Sequence, residues 1–200
     1  TGGVNTPAQV IWARKFGGTD QDAVFGLEVD ANGDLLVTGS FINQCQFTPG
    51  FSLQGNLVPT LPPRVGYVAK YRADGTFRWA QRIISLLAST TGVRVESDPS
   101  GHVYVLASLE GSEIPTPGLG TGNPTILINN EPLSSALLKY DSIGTPLWVS
   151  ELPAIESDSL PGQFFNFYFG TDLIDLPNGE IRVLAVKNQA IPRAGGTTVV

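Results

Sequence analysis

Short runs of alternating apolar and polar residues cover most of the chain, and clusters of Gly, Pro, Asn and Asp interrupt them at short intervals. No stretch sustains a 3.6-residue apolar period, so the pattern predicts strands rather than helices. The expected strands are residues 10–16, 24–29, 34–41 and 67–72, then 77–84, 92–96, 102–109 and 136–141, then 147–150, 169–176 and 180–187. Five tight turns separate them. Three are Asp30-Ala31-Asn32-Gly33, Asp98-Pro99-Ser100-Gly101 and Pro177-Asn178-Gly179; two are Ala73-Asp74-Gly75 and Ser142-Ile143-Gly144. Asp and Asn bond their own backbone in such turns, and Gly takes the positive φ.

A longer period overlies the alternation. Trp12, Trp79 and Trp148 stand 67 and 69 residues apart (79 − 12 and 148 − 79). The phrase Gly66-Tyr67-Val68-Ala69-Lys70-Tyr71 before Trp79 answers Ser135-Ala136-Leu137-Leu138-Lys139-Tyr140 before Trp148. A fixed period of this length marks repeated supersecondary units. The expected fold is all-β and β-propeller-like: about three four-stranded antiparallel blades forming a partial propeller or arc. One region, 1–200, holds repeat 1 at about 10–78, repeat 2 at about 79–147 and an incomplete repeat 3 at about 148–200. Each Trp strand is expected to open its unit, so that 77–84 pairs with 92–96. The Trp, Tyr and Val positions read as core between units.

The motifs of the first unit carry a family likeness. Trp12-Ala13-Arg14-Lys15-Phe16-Gly17-Gly18-Thr19-Asp20, Val29-Asp30-Ala31-Asn32-Gly33-Asp34-Leu35-Leu36-Val37-Thr38-Gly39-Ser40-Phe41 and Val68-Ala69-Lys70-Tyr71-Arg72-Ala73-Asp74-Gly75 followed by Trp79 resemble the bacterial seven-bladed β-propeller repeat. The resemblance covers most of residues 10–187. Arg82-Ile83-Ile84-Ser85 departs from it where the family has Phe-Gly-Gly. The resemblance implies an extracellular or cell-surface setting, with the periplasm as the alternative, and no shared catalytic residues. Three blades do not close a ring, so the chain is expected to be part of a longer protein, to assemble with other copies, or to form an open arc.

Charge and candidate chemistry narrow the function. A net charge of −6, with Lys and Arg scattered, argues against nucleic acid and anionic membrane. No apolar run is long enough to span a bilayer as a helix. Cys45 is the single cysteine and reads as a passive small residue. Asp30-x-Asn32-Gly33-Asp34 faintly resembles a calcium loop, but the corresponding turns lose the ligands, so a structural turn is expected. His102 opens a strand where Asp34 and Glu180 stand in the other units. Asp20, Asp22, Glu110, Glu113, Glu156 and Asp158 could offer paired carboxylates, with no spacing to show that two face each other. Gly118, Gly120 and Gly122 lack the strand and helix of a phosphate cradle.

The units differ mainly in two long proline-bearing connections, 42–65 and 110–133, and in one insertion. Extra hairpins are expected near 51–53 and 125–128. Trp148 to Gly179 spans 31 residues, against 21 from Trp12 to Gly33 and 22 from Trp79 to Gly101. The insertion holds Phe164, Phe165, Phe167, Tyr168 and Phe169, five aromatics in six positions. These are the candidate interaction residues: a docking surface, a sugar-stacking platform, or a buried strand. The expected function is a non-enzymatic extracellular scaffold or protein-interaction module without cofactor or metal. Its partners would be proteins or further blades of the same parent chain. A carbohydrate-binding or carbohydrate-cleaving propeller using the long-loop face is the alternative, with a glycan as partner.

Overall fold

The computed structural model describes residues 10–55, 64–84, 89–110, 116–117, 134–152, 166–175 and 181–189. Its strands are β1 (Ala23–Val29), β2 (Leu35–Phe41), β3 (Gln44–Thr48), β4 (Phe51–Gln54), β5 (Val65–Tyr71), β6 (Phe77–Ile84), β7 (Ser89–Ser97), β8 (Val103–Glu110), β9 (Thr116–Pro117), β10 (Ser134–Tyr140), β11 (Pro146–Leu152), β12 (Asn166–Asp175) and β13 (Ile181–Gln189). All observed pairings are antiparallel. The first sheet runs β1-β2-β5-β6-β9, the second β11-β10-β8-β7, the third β12-β13, and β3-β4 is a separate hairpin.

The all-β expectation holds; the propeller does not. The sheets have five, four, two and two strands, and none is closed or curved into a propeller blade. Two strand assignments also change. Residues 10–16 form no strand, and only Gly17 bridges to Gln46. Trp12 and Arg14 are held instead by side-chain bonds to Ala73 O and Gly75 O, both at 2.8 Å. The Trp79 strand pairs backwards with β5 rather than forwards with β7. A sequence period fixes how often a phrase recurs but not where backbone pairing breaks. The tight turn 72–75 decides this: a short hairpin loop obliges its flanking strands to pair.

Four tight turns follow one plan. Gly33, Gly75, Gly101 and Gly144 have φ of 80°, 81°, 83° and 87°. Each Gly N–H donates to the carbonyl three residues back, on Asp30, Arg72, Asp98 or Asp141. This is a three-residue hairpin loop with glycine in the left-handed position. Asp30 Oδ1 accepts from Asn32 N and Asp34 N, and Asp141 Oδ1 from Ile143 N and Thr145 N. The first strand of each sheet carries a bulge at the corresponding place: Val24/Gly26, Gly92/Arg94 and Gly170/Asp172.

Packing follows the pleat. On one face of the first sheet, Leu36, Val68, Trp79 and Ile83 meet Val95, Val103, Val105, Ala107, Ala136, Leu138 and Tyr140 of the second. On its other face, Val37, Tyr67, Ala69, Tyr71 and Ala80 lie under Cys45 and Phe47 of the β3-β4 hairpin, with Phe16 and Phe51. The far face of the second sheet, Tyr104, Leu106 and Leu137, packs against Ile181 and Val183 of the third. Central strands buried on both faces read as continuous apolar runs, as β5 does.

The first two sheets approach closely because Gly92 faces Thr38. A Cβ at Gly92 would overlap Thr38 Oγ1 and come within 3.0 Å of Tyr67 O. Thr38 Oγ1 already donates to Tyr67 O at 2.6 Å. Gly92→Ala should therefore wedge the sheets apart and lower the unfolding free energy by about 1–3 kcal/mol. Urea unfolding checks this; an unchanged midpoint would contradict the close approach.

Candidate functional site

The outward half of the first sheet is apolar and bare. In antiparallel pairs, directly opposed residues share a face. Leu27 pairs with Val37 and Val29 with Leu35, so both extend the face that the β3-β4 hairpin covers farther along. The hairpin does not reach them. Leu27 is 64% exposed and Val29 60%. Val24 and Phe25 at the bulge, and Val10 and Ile11 before it, are exposed as well. The bulges align Leu27 with Val95 of the second sheet, which is 2% exposed because the first sheet lies on it. β1 is also a sheet edge: among the described strands it pairs only with β2, while Phe25 O accepts from Arg94 Nη1.

A buried charge cluster closes the turn end of the same sheet. Lys70 is 1% exposed, and its Nζ lies 2.5 Å from Asp30 Oδ2 and 3.6 Å from Asp34 Oδ2. Arg78 Nη1 donates to Asp34 Oδ2 at 2.7 Å. Burial pushes the Asp30 carboxyl up, but the Lys70 bond and the backbone N–H groups of Asp34 and Asn32 more than offset it. The net direction is below the ordinary carboxylate value. Both Asp30 oxygens are thus engaged by protein groups, Oδ1 by the turn's own N–H groups and Oδ2 by Lys70. No group of metal-ligating side chains occurs among the described residues. In the second sheet, Asp98 accepts from His102 N at 2.9 Å and lies 2.8 Å from His102 Nδ1, with Tyr104 Oη donating at 3.1 Å and the Lys139 ammonium forming a longer ion pair at 4.0 Å. His102, half-exposed, is therefore tied to its turn.

The expected interaction residues are placed only in part. Phe164 and Phe165 lie outside the described residues. Phe167, Tyr168 and Phe169 are on β12, where their backbones pair with Asn188, Lys187 and Val186. The carboxylates do not assemble into a described pair. Asp22 Oδ2 accepts from Gly18 N at 2.6 Å, and Asp20 Oδ2 from Asn43 Nδ2 at 2.9 Å. Glu110 ends β8; Glu113, Glu156 and Asp158 lie outside the described residues, as do Gly118, Gly120, Gly122 and the hairpin expected near 125–128. The hairpin expected near 51–53 is β3-β4. Cys45 belongs to it rather than to a loop, and burial pushes its thiol up to about 12.

The open apolar strip was missed in the sequence because Val24-Phe25-Gly26-Leu27-Glu28-Val29 looks like any core strand. Its one signal is Val24 just before the bulge, where the second and third sheets carry Gly92 and Gly170. The buried ammonium was signalled by Lys70 within an otherwise apolar strand, with Asp30 at a turn. The tryptophans also separate. Trp79 is 9% exposed and in the core, Trp12 is half-buried, and Trp148 is 41% exposed, so the uniform core role does not hold.

No protein-family model matches the chain, and no curated protein matches it. The resemblance to the seven-bladed propeller repeat is therefore corrected: no family match supports it, and the sheets are not closed or curved into blades. What stands is an all-β chain of stacked antiparallel sheets.

Two outcomes follow from the buried groups. Lys70→Met leaves the Asp30 carboxylate buried without its main partner and should cost about 3–5 kcal/mol at pH 7. A depressed carboxyl contributes stability that is complete above its unfolded value of 3.8 and is lost as pH falls through the folded value. The gap between wild type and variant should therefore narrow in acid, as denaturant midpoints across pH will reveal. With its thiol at about 12, Cys45 should resist alkylation at pH 8 in the folded chain and react at once in denaturant.

Proposed function

We propose that this chain is a non-enzymatic protein-interaction module whose contact surface includes the outward half of the first sheet. One observation carries the reading: Leu27 is 64% exposed where its counterpart Val95 is 2% exposed under a neighbouring sheet. Contiguous apolar surface of this kind marks sites that another protein covers. The strip lies on an edge strand, so a partner gains both apolar contact and backbone hydrogen bonds. The rigid stack behind it, pinned by the Asp30–Lys70–Asp34–Arg78 cluster, keeps the strip in shape without the partner.

A photo-crosslinking amino acid at position 27 should yield discrete protein adducts in cells that make the chain. The same group at the exposed turn residue Asn32 should not, and Leu27→Glu should reduce adducts formed from position 25 while leaving thermal unfolding within about 2 °C, as for a surface substitution. Equal labelling from positions 27 and 32 would refute the reading.

A further inference from the structure

The first two sheets close their turn ends with the same device, altered in its charge. In the first, Lys70 and Arg78 face the carboxylates of Asp30 and Asp34, so cations and anions balance. In the second, Asp98 and Lys139 stand where Asp30 and Lys70 stand, but His102 replaces Asp34 and Leu147 replaces Arg78. A single carboxylate therefore serves an ammonium and an imidazole, and the charge of the cluster depends on His102. This is the only histidine of the chain. Imidazole is the side chain that ordinarily changes charge between pH 5 and 8.

Geometry ranks the donors that meet at Asp98 Oδ2. His102 Nδ1 lies 2.8 Å away and Tyr104 Oη 3.1 Å, whereas Lys139 Nζ lies 4.0 Å away. A carboxylate oxygen has room for about two short bonds, and His102 and Tyr104 fill it. Lys139 is held at longer range by charge and by the face of the Tyr104 ring, with Nζ 4.9 Å from the centroid. Burial pushes the Asp98 carboxyl up, but the bonds from His102 and Tyr104 more than offset it, so the group is ionised from pH 5 to 8. Nδ1 beside an ionised oxygen carries its hydrogen in either charge state, and protonation adds the second hydrogen at Nε2. The His102 side chain is 36% exposed, so solvent delivers that proton without breaking the bond to Asp98.

Other charged groups stand around the cluster. Glu96 opposes Tyr104 in the β7-β8 register, and Asp141 heads the adjoining turn with Oδ1 on Ile143 N and Thr145 N. On the third sheet, Ile181 and Val183 pack against Tyr104; Arg182 lies between them on β13, and Asp175 opposes Ile181. Glu96 and Arg182 are both engaged in interactions.

We propose that Asp98 and His102 form a proton-sensitive clasp on Lys139, through which pH sets the surface around Trp148. With neutral His102 the clasp holds one anion and one cation, and Lys139 stays over the Tyr104 ring. The imidazolium sets two cations against one carboxylate. It keeps the shorter bond and repels the ammonium. Lys139, already 18% exposed, then swings into water. Trp148 directly opposes Lys139 and meets the edge of Tyr104, so its surroundings change with the release. Acid thereby turns a neutral, ordered patch into a mobile, positive one. The clasp does not depend on the Leu27 strip, and either can fail without the other.

The test is an NMR titration of the whole chain from pH 8 to pH 5, in which one histidine makes the His102 ring signals unambiguous. At pH 8 the Lys139 ε-methylene protons should lie upfield, in the ring current of Tyr104. They should move to the ordinary lysine position with the same midpoint as His102. The Trp148 indole N–H, assigned with Trp148→Phe, should shift with that midpoint while the Trp12 indole stays in place. A shared midpoint separates this event from titration of Glu28, the first-sheet carboxyl that burial pushes up. His102→Asn keeps a donor beside Asp98 without a titrating ring, and His102→Asp restores the first-sheet pair. In both variants the Lys139 signals should not change between pH 8 and 5. Lys139→Met should leave the His102 titration in place and largely abolish the Trp148 shift. Lys139 signals that stay constant through the His102 transition, or an acid response that survives His102→Asn, would overturn the proposal. So would a full Trp148 shift in Lys139→Met, because the imidazolium would then act on the indole without the lysine.

Discussion

Close stacking of the second sheet on the first is the constraint from which the rest of the structure follows. It is possible because Gly92 presents no side chain to Thr38, whose hydroxyl turns back to Tyr67 O. With the backbones that near, Val95, Val103 and Leu138 reach Leu36, Val68 and Ile83, and an apolar cluster forms between the layers. Dispersion falls steeply with separation, so a gap of even an ångström would forfeit much of that contact. The Trp79 indole, on the last full strand of the first sheet, then lands on the 141–144 turn and sets the offset of one layer against the next.

The charged groups fit the same constraint. Lys70 points from β5 into the space between layers, where an unpaired ammonium would be costly. The turn supplies Asp30 and Asp34 at that point, and Arg78 balances the second carboxylate. Buried ion pairs add little net stability over apolar replacements, but they penalise a shifted register, because a slip would strand the charge. The second sheet uses Asp98 with His102, Tyr104 and Lys139, in a wetter and looser arrangement.

A stack of layers has ends, and the function proposed lies there. Interior faces are satisfied by a neighbour, whereas the outer face of the first sheet is only half covered by the β3-β4 hairpin and Phe16. The hairpin covers the β5-β6 side, where Tyr67, Tyr71 and Phe77 make a ring cluster with Phe47 and Phe51. Leu27 and Val29 on the β1 side stay largely exposed. Trp148 on the second sheet is likewise 41% exposed. Identical local chemistry thus becomes core or contact surface according to whether a layer lies above it.

Alternation and turn chemistry determined the strands, because a side-chain period of two and a left-handed glycine are local properties. Turns 30–33, 73–75, 98–101 and 142–144 and most strand limits were legible for that reason. Of the β3-β4 hairpin only the part near 51–53 was legible; that it begins at Gln44 and carries Cys45 was not. Sheet membership was not legible: the Trp period suggested that 77–84 opens a unit, while backbone pairing joins it to β5. Nor was the propeller likeness decisive, since recurring hairpins specify strand pairs and leave the order and closure of layers open. Only tertiary structure decided which of three like tryptophans is buried, which lysine is sealed between sheets, and that Leu27 is bare where Val95 is covered. Burial is a property of what lies across the interface, and no local pattern in the chain encodes that neighbour.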